Sequence, residues 1–113
     1  MFLTSLKWKL DAEAIRATPR TQGVLGLWDE DELVYIGATE RDASPPETLE
    51  RLLKLKHQGD LRATHFTWEI TITPRSWSGE LLRLYFNKHG MLPRYNRATS
   101  PLRHEIQTNP HVA

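Results

Sequence analysis

Tyr35-Ile36-Gly37 ends an expected strand twelve residues after Gly23-Val24-Leu25 on an earlier one, and Arg51, Glu80 and Pro93-Arg94-Tyr95-Asn96 follow in that order. A phenol, a guanidinium, a carboxylate and a carboxamide carried by separate elements can hold a charged substrate and move a proton. The charge around them favours phosphate. Residues 29–50 carry eight acids against Arg41, whereas residues 51–97 carry nine bases against Asp60, Glu69 and Glu80. The formal net charge of +1 therefore hides a segregation that can leave one face positive enough to hold phosphates.

These residues must be positioned by one small domain. With 113 residues, 39% of them hydrophobic and 26% charged, the chain has enough apolar surface for a single core. The domain is expected over residues 1–97, its core over about residues 20–97, with residues 98–113 as a loose tail interrupted by Pro101 and Pro110. The absence of cysteine excludes disulfide frameworks and thiolate zinc sites. His57, His65, His89, His104 and His111 show no spacing that demands a metal. The run from Met1 to Leu6 is interrupted too soon by Lys7 and Lys9 to act as a signal. No stretch approaches the ~18 apolar residues of a membrane span, so a cytoplasmic protein without membrane contact is expected.

Gln22 to Trp28 and Leu33 to Gly37 are rich in strand formers, and the polar break Asp29-Glu30-Asp31-Glu32 has a hairpin's length, so the two should pair antiparallel. Alternation puts Val34 and Ile36 on one face and Leu33 and Tyr35 on the other. Ser44-Pro45-Pro46-Glu47 reads as a capping box opening a helix near 46–58, with Leu49, Leu52 and Leu53 inward, Arg51 at the edge of that stripe and Gly59 as its end. Arg41 precedes that helix. Thr64 to Thr73 alternates as a third strand, with Phe66, Trp68, Ile70 and Ile72 on one face. A second helix, near 77–89, is expected to open at Ser76 or Ser78 and close at Gly90, placing Glu80 in its first turn. Leu6, Trp8 and Leu10 alternate like a short strand, and Ala12 to Ala17 would make a helical turn stopped by Pro19. The expected class is α+β: a small three-stranded antiparallel sheet flanked by helices, in β-β-α-β-α order.

The two tripeptides, the helical Arg51 and Glu80, and the terminal Asn96 together resemble the GIY-YIG nucleases over roughly residues 20–97. The resemblance implies a stand-alone, divalent-metal-dependent endonuclease that hydrolyses phosphodiester bonds in double-stranded or branched DNA. Glu80 would hold one Mg²⁺ or Mn²⁺, since a hard cation prefers carboxylate oxygen and keeps waters for the substrate. Arg51 would clamp the scissile phosphate and offset charge growing on its oxygens. Asn96 would anchor the returning segment beside the metal. Tyr35 would position or deprotonate the attacking water; His57 is the alternative base and His65 a further one. Lys54, Arg62, Arg94 and Arg97 would contact DNA, and a partner protein would supply specificity.

Leu25 departs from the family pattern, standing where a tyrosine is usual, so one of two phenols is missing. Two other readings accompany the nuclease. One is a DNA-binding module that keeps the fold and has lost turnover. The other is a protein-interaction domain using the acidic hairpin and exposed Trp28 or Trp77. Each residue also has a structural use: a first-turn Glu80 would satisfy the helix dipole, and Arg51 would pair with Glu47 one turn earlier.

Overall fold

The computed structural model describes residues 6–39 and 45–97. Ser44 of the expected capping box, Arg41 and the expected tail, 98–113, lie outside the described residues. In chain order the elements are β1 (Trp8–Lys9), α1 (Ala12–Arg16), β2 (Gly23–Asp29), β3 (Glu32–Ala38), α2 (Pro45–His57), β4 (His65–Ile70), α3 (Pro74–His89) and a 3-10 turn, Arg94–Asn96. The class is α+β, and the antiparallel sheet has four strands in the order β1-β4-β2-β3. The expected three-stranded sheet gains β1, two residues that pair Trp8 with Phe66 and Lys9 with His65 on the outside of β4. No helix among the described residues is long and apolar enough to cross a membrane.

β2 and β3 form the expected antiparallel hairpin, but its loop is tighter than the four-residue break. Asp29 and Glu32 pair with each other, leaving Glu30 and Asp31 in the turn, and Glu30 takes a left-handed φ of 55°. Within the hairpin Leu27 faces Tyr35 and Trp28 faces Leu33, so Val34 is the extra residue of a bulge. The bulge corrects the expected alternation: Val34 joins Tyr35 in one core, whereas Leu33 joins Ile36 in the other.

The sheet therefore separates two cores. Leu25, Leu27, Tyr35 and Phe66 meet Leu49, Leu52 and Leu55 of α2 and Ile15 of α1 on one side. Val24, Leu33 and Ile36 meet Leu81 of α3 on the other, with Trp28, Trp77, Leu82 and Tyr85 packed around them. Each fully buried Leu, Ile or Phe favours folding by about 1.5–3 kcal/mol over an exposed one. Trp28 and Trp77, expected to be exposed, are half-buried against the second core, and Trp28 Nε1 donates to Thr67 Oγ1 at 3.3 Å. Beyond β4, Ile72 leaves the packed face altogether and is 87% exposed.

α2 ends where expected. Gly59 has a φ of 86°, and the Asp60 N–H reaches back to the Leu55 carbonyl at 3.0 Å. α3 closes likewise at Gly90, with a φ of 79°. Its start, however, lies at Pro74, ahead of Ser76 and Ser78. Proline is preorganised for the first helical position, where its missing N–H costs nothing. Glu80 is consequently the seventh residue of α3, no acid occupies the first turn, and the dipole explanation for a carboxylate at this position is lost.

Candidate functional site

Glycine sets the geometry around Tyr35. Tyr35 and Gly37 lie two residues apart on β3, opposite Leu27 and Leu25, and the tyrosine ring lies back over the glycine. A Cβ on Gly37 would fall 2.6 Å from Tyr35 Cζ and closer still to the hydroxyl. The ring can adopt this position only because residue 37 has no side chain. Tyr35 is 3% exposed. Leu25, which takes the place of the first tyrosine in the tripeptide pair, is fully buried in the same core and fills volume instead of offering a phenol. Gly23 is equally constrained, because an added Cβ would collide with the Glu69 carbonyl of β4.

Asn96 binds the same strand from outside. Its Oδ1 accepts from the Ile36 N–H at 2.8 Å and its Nδ2 donates to the Ile36 carbonyl at 2.8 Å. β3 is an edge strand, and this carboxamide satisfies backbone groups that the next strand would otherwise take. The short 3-10 turn, following Pro93, brings Asn96 there, and the neighbouring Tyr95 hydroxyl accepts from the Arg62 N–H at 3.0 Å.

Arg51 is half-buried on α2 and is engaged within the protein. Glu80 is on α3, on the other side of the sheet. Arg83 holds it from one turn ahead, with Nε donating to Oε1 at 3.2 Å and Nη2 donating to Oε2. That hydrogen bonding lowers the Glu80 pKa below the usual carboxylate value; desolvation opposes it, and the guanidinium charge adds to it. Beside it, a Cβ on Gly79 would meet nothing within 4 Å, so the surface next to Glu80 is open. Both carboxylate oxygens are taken up by Arg83, so a hard cation would reach Glu80 only by displacing that guanidinium. Among the described residues no group of three or more His, Asp or Glu side chains could hold a metal.

A cleft of about 290 Å³ lies between the end of β3 and the first turn of α3, lined by Gln22, Thr39, Thr73, Pro74, Arg75 and Ser76. Ser76 is four residues before Glu80, so both share a helix face. Thr39 fixes the strand ends here, its Oγ1 accepting from the Gly23 N–H at 2.9 Å. This lining exists because α3 opens at Pro74, ahead of the expected Ser76 or Ser78, which brings Pro74, Arg75 and Ser76 into the helix. A second groove, of about 600 Å³ between α1 and α2, takes in Lys54 and His57 with Arg16 and Glu50. His57, the last residue of α2, is exposed there. His65 instead begins β4, half-buried, with Nδ1 2.8 Å from Thr64 Oγ1.

The remaining expected DNA contacts are engaged at home. Arg94 Nη2 donates to Glu32 Oε1 at 2.8 Å and Nη1 lies 3.6 Å from Asp29 Oδ2. Arg62 Nε is 3.9 Å from the same Asp29 oxygen. Arg97 turns back on its own segment, donating from Nε to the Leu92 carbonyl at 3.0 Å. The chain matches no protein-family model, no curated protein and no solved structure.

Proposed function

We propose that this chain is a cytoplasmic, GIY-YIG-like endonuclease that hydrolyses phosphodiester bonds of double-stranded or branched DNA with one Mg²⁺ or Mn²⁺. The observation that carries the reading is the pair of hydrogen bonds by which Asn96 grips Ile36, the middle residue of Tyr35-Ile36-Gly37. Two motif segments sixty residues apart meet through the side chain the resemblance assigns to anchoring, on a strand where Gly37 makes room for Tyr35.

In this reading the Glu80 carboxylate holds the cation, with Arg83 yielding one or both oxygens. When bound, the metal neutralises the phosphate and stabilises the leaving oxygen. Arg51 on α2 and Glu80 on α3 flank opposite faces of the sheet, so both can act on one scissile phosphate only if the DNA backbone passes at the β3 edge. There Arg51 presents its fork and offsets charge that grows on the phosphoryl oxygens as water attacks. The Tyr35 hydroxyl orients the water, with His57 as the alternative proton acceptor. Lys54 and the other bases between Arg51 and Arg97 hold the backbone, in about three to five phosphate contacts, so that affinity falls steeply with salt. A partner protein supplies site specificity.

Two observations favour a second reading, a DNA-binding module without turnover. Leu25 is a core residue with no catalytic group, and Glu80 is neutralised by Arg83. Plasmid and branched-DNA cleavage assays with Mg²⁺ or Mn²⁺ separate the two. Nicking or linearisation supports the nuclease, and salt-sensitive binding with no cleavage in either metal supports the module.

A further inference from the structure

The β2–β3 turn carries Asp29, Glu30, Asp31 and Glu32, and bases from three distant parts of the chain close on it. Asp29 Oδ2 lies 3.9 Å from Arg62 Nε and 3.6 Å from Arg94 Nη1, and Glu32 Oε1 accepts from Arg94 Nη2 at 2.8 Å. On the same turn Lys7 Nζ lies 3.2 Å from Asp31 Oδ1 and donates to the Glu30 carbonyl at 3.0 Å. Asp29 is the sheltered member of the cluster, its side chain 18% exposed, while Arg62 is 81% exposed. Arg94 also stands two residues from Asn96, so the cluster borders the segment that grips β3.

Carboxylate oxygens and phosphate oxygens offer a guanidinium fork the same acceptor geometry. Asp29 and Glu32 take up guanidinium donors of Arg94, and Asp29 lies near Arg62, so a phosphodiester at these bases would compete with the two carboxylates. We propose that Arg62 and Arg94 form a phosphate-binding surface for the DNA backbone, and that Asp29 and Glu32 hold it shut in the free protein as an internal competitor. This rests on the DNA reading above. Ion pairs this exposed are individually weak and are screened by salt, so the hairpin attenuates binding without abolishing it. Phosphates that enter must displace the acids, which lowers affinity most for weak, non-specific contacts. The surface is then held in reserve for DNA gripped elsewhere on the protein.

The test is fluorescence anisotropy of the full chain with a labelled duplex, in EDTA so that no cleavage occurs, across a salt series. The isosteric variant Asp29→Asn/Glu32→Gln keeps the turn's shape and removes its charge. It should bind about three- to tenfold more tightly at low salt. Its dependence of log K on log salt should steepen by about 0.9 for each guanidinium released. Adding Arg62→Ala should remove part of the gain. A charge-matched control away from the proposed contacts, Glu13→Gln/Glu69→Gln on α1 and β4, should gain less. The proposal is overturned if the hairpin variant binds no tighter than wild type, or if the control gains as much. If neither wild type nor variant binds at the lowest salt, the DNA reading itself falls; binding by wild type without a gain in the variant removes only the closed surface. An unchanged melting curve for Asp29→Asn/Glu32→Gln shows that a gain does not come from unfolding, and the single variant Glu32→Gln, which leaves Asp29 in place, should show a smaller gain of the same sign.

Discussion

Asn96 and Ile36 exchange two hydrogen bonds of 2.8 Å, the side chain of one serving both backbone groups of the other. Asn96 is 8% exposed, so the four polar atoms involved have little access to water if the pairing is lost. A buried donor or acceptor left unmade costs roughly 1–3 kcal/mol. Asn96→Ala should therefore destabilise the fold by about 2–4 kcal/mol, read as a lower urea midpoint at unchanged slope. Asn96→Asp keeps the acceptor for the Ile36 N–H but sets a charge against its carbonyl, and should also destabilise. A loss below about 0.5 kcal/mol in Asn96→Ala would mean that water or a neighbour replaces the carboxamide.

Gly37 makes the second prediction. A methyl group at residue 37 cannot coexist with the Tyr35 ring in its present position, because Cζ alone would be 2.6 Å away. Overpacking of this sort costs about 1–3 kcal/mol, so Gly37→Ala should be less stable, and it should lose cleavage by moving the Tyr35 hydroxyl. Tyr35→Phe separates these effects. It keeps the ring, should stay within about 1.5 kcal/mol of wild-type stability, and should cost roughly 10²–10⁴ in rate. Equal rates for Tyr35→Phe and wild type would take Tyr35 out of the chemistry.

The parts of this fold that were legible in the sequence are those whose signal is local. Leu49, Leu52 and Gly59 mark α2, the run from Phe66 marks β4, and Gly90 marks the end of α3. The missing parts depend on tertiary contact. The alternation of Leu6, Trp8 and Leu10 hints at β1, but its two residues join the sheet only because β4 has a free edge for them. The Val34 bulge depends on how β2 and β3 register, and strict alternation cannot express it. Pro74 is a local signal for the start of α3, and it moves Glu80 out of the first turn. At the site, the sequence pattern named Asn96 but not its partner. It could not reveal that Leu25 is wholly buried, or that Arg94 is bonded to Glu32 sixty-two residues away.

Arg83 yields a third prediction, with a definite sign in pH. Its hydrogen bond and charge favour the ionised form of Glu80 and lower that carboxyl's pKa, but they also occupy the oxygens a cation needs. Arg83→Ala should tighten Mn²⁺ binding at neutral pH by several fold, measured by titration calorimetry. Because the carboxyl loses the group that lowers its pKa, metal binding in Arg83→Ala should fail at a higher pH than in wild type as the solution is acidified. Weaker Mn²⁺ binding at neutral pH would show that Arg83 supports the metal-binding geometry of Glu80 and does not compete for it.

The central claim is that Glu80 holds the metal that cuts DNA, and it is tested most directly by comparing wild type with Glu80→Ala in two assays on the same DNA. Cleavage is followed with Mg²⁺ or Mn²⁺, and affinity is followed in EDTA. The account predicts cleavage by wild type, none above background by Glu80→Ala, and affinity in the variant equal to or tighter than wild type, since a carboxylate facing phosphates is removed. Cleavage by Glu80→Ala at the wild-type rate, or a wild-type protein that binds DNA and cuts it with neither metal, would contradict it.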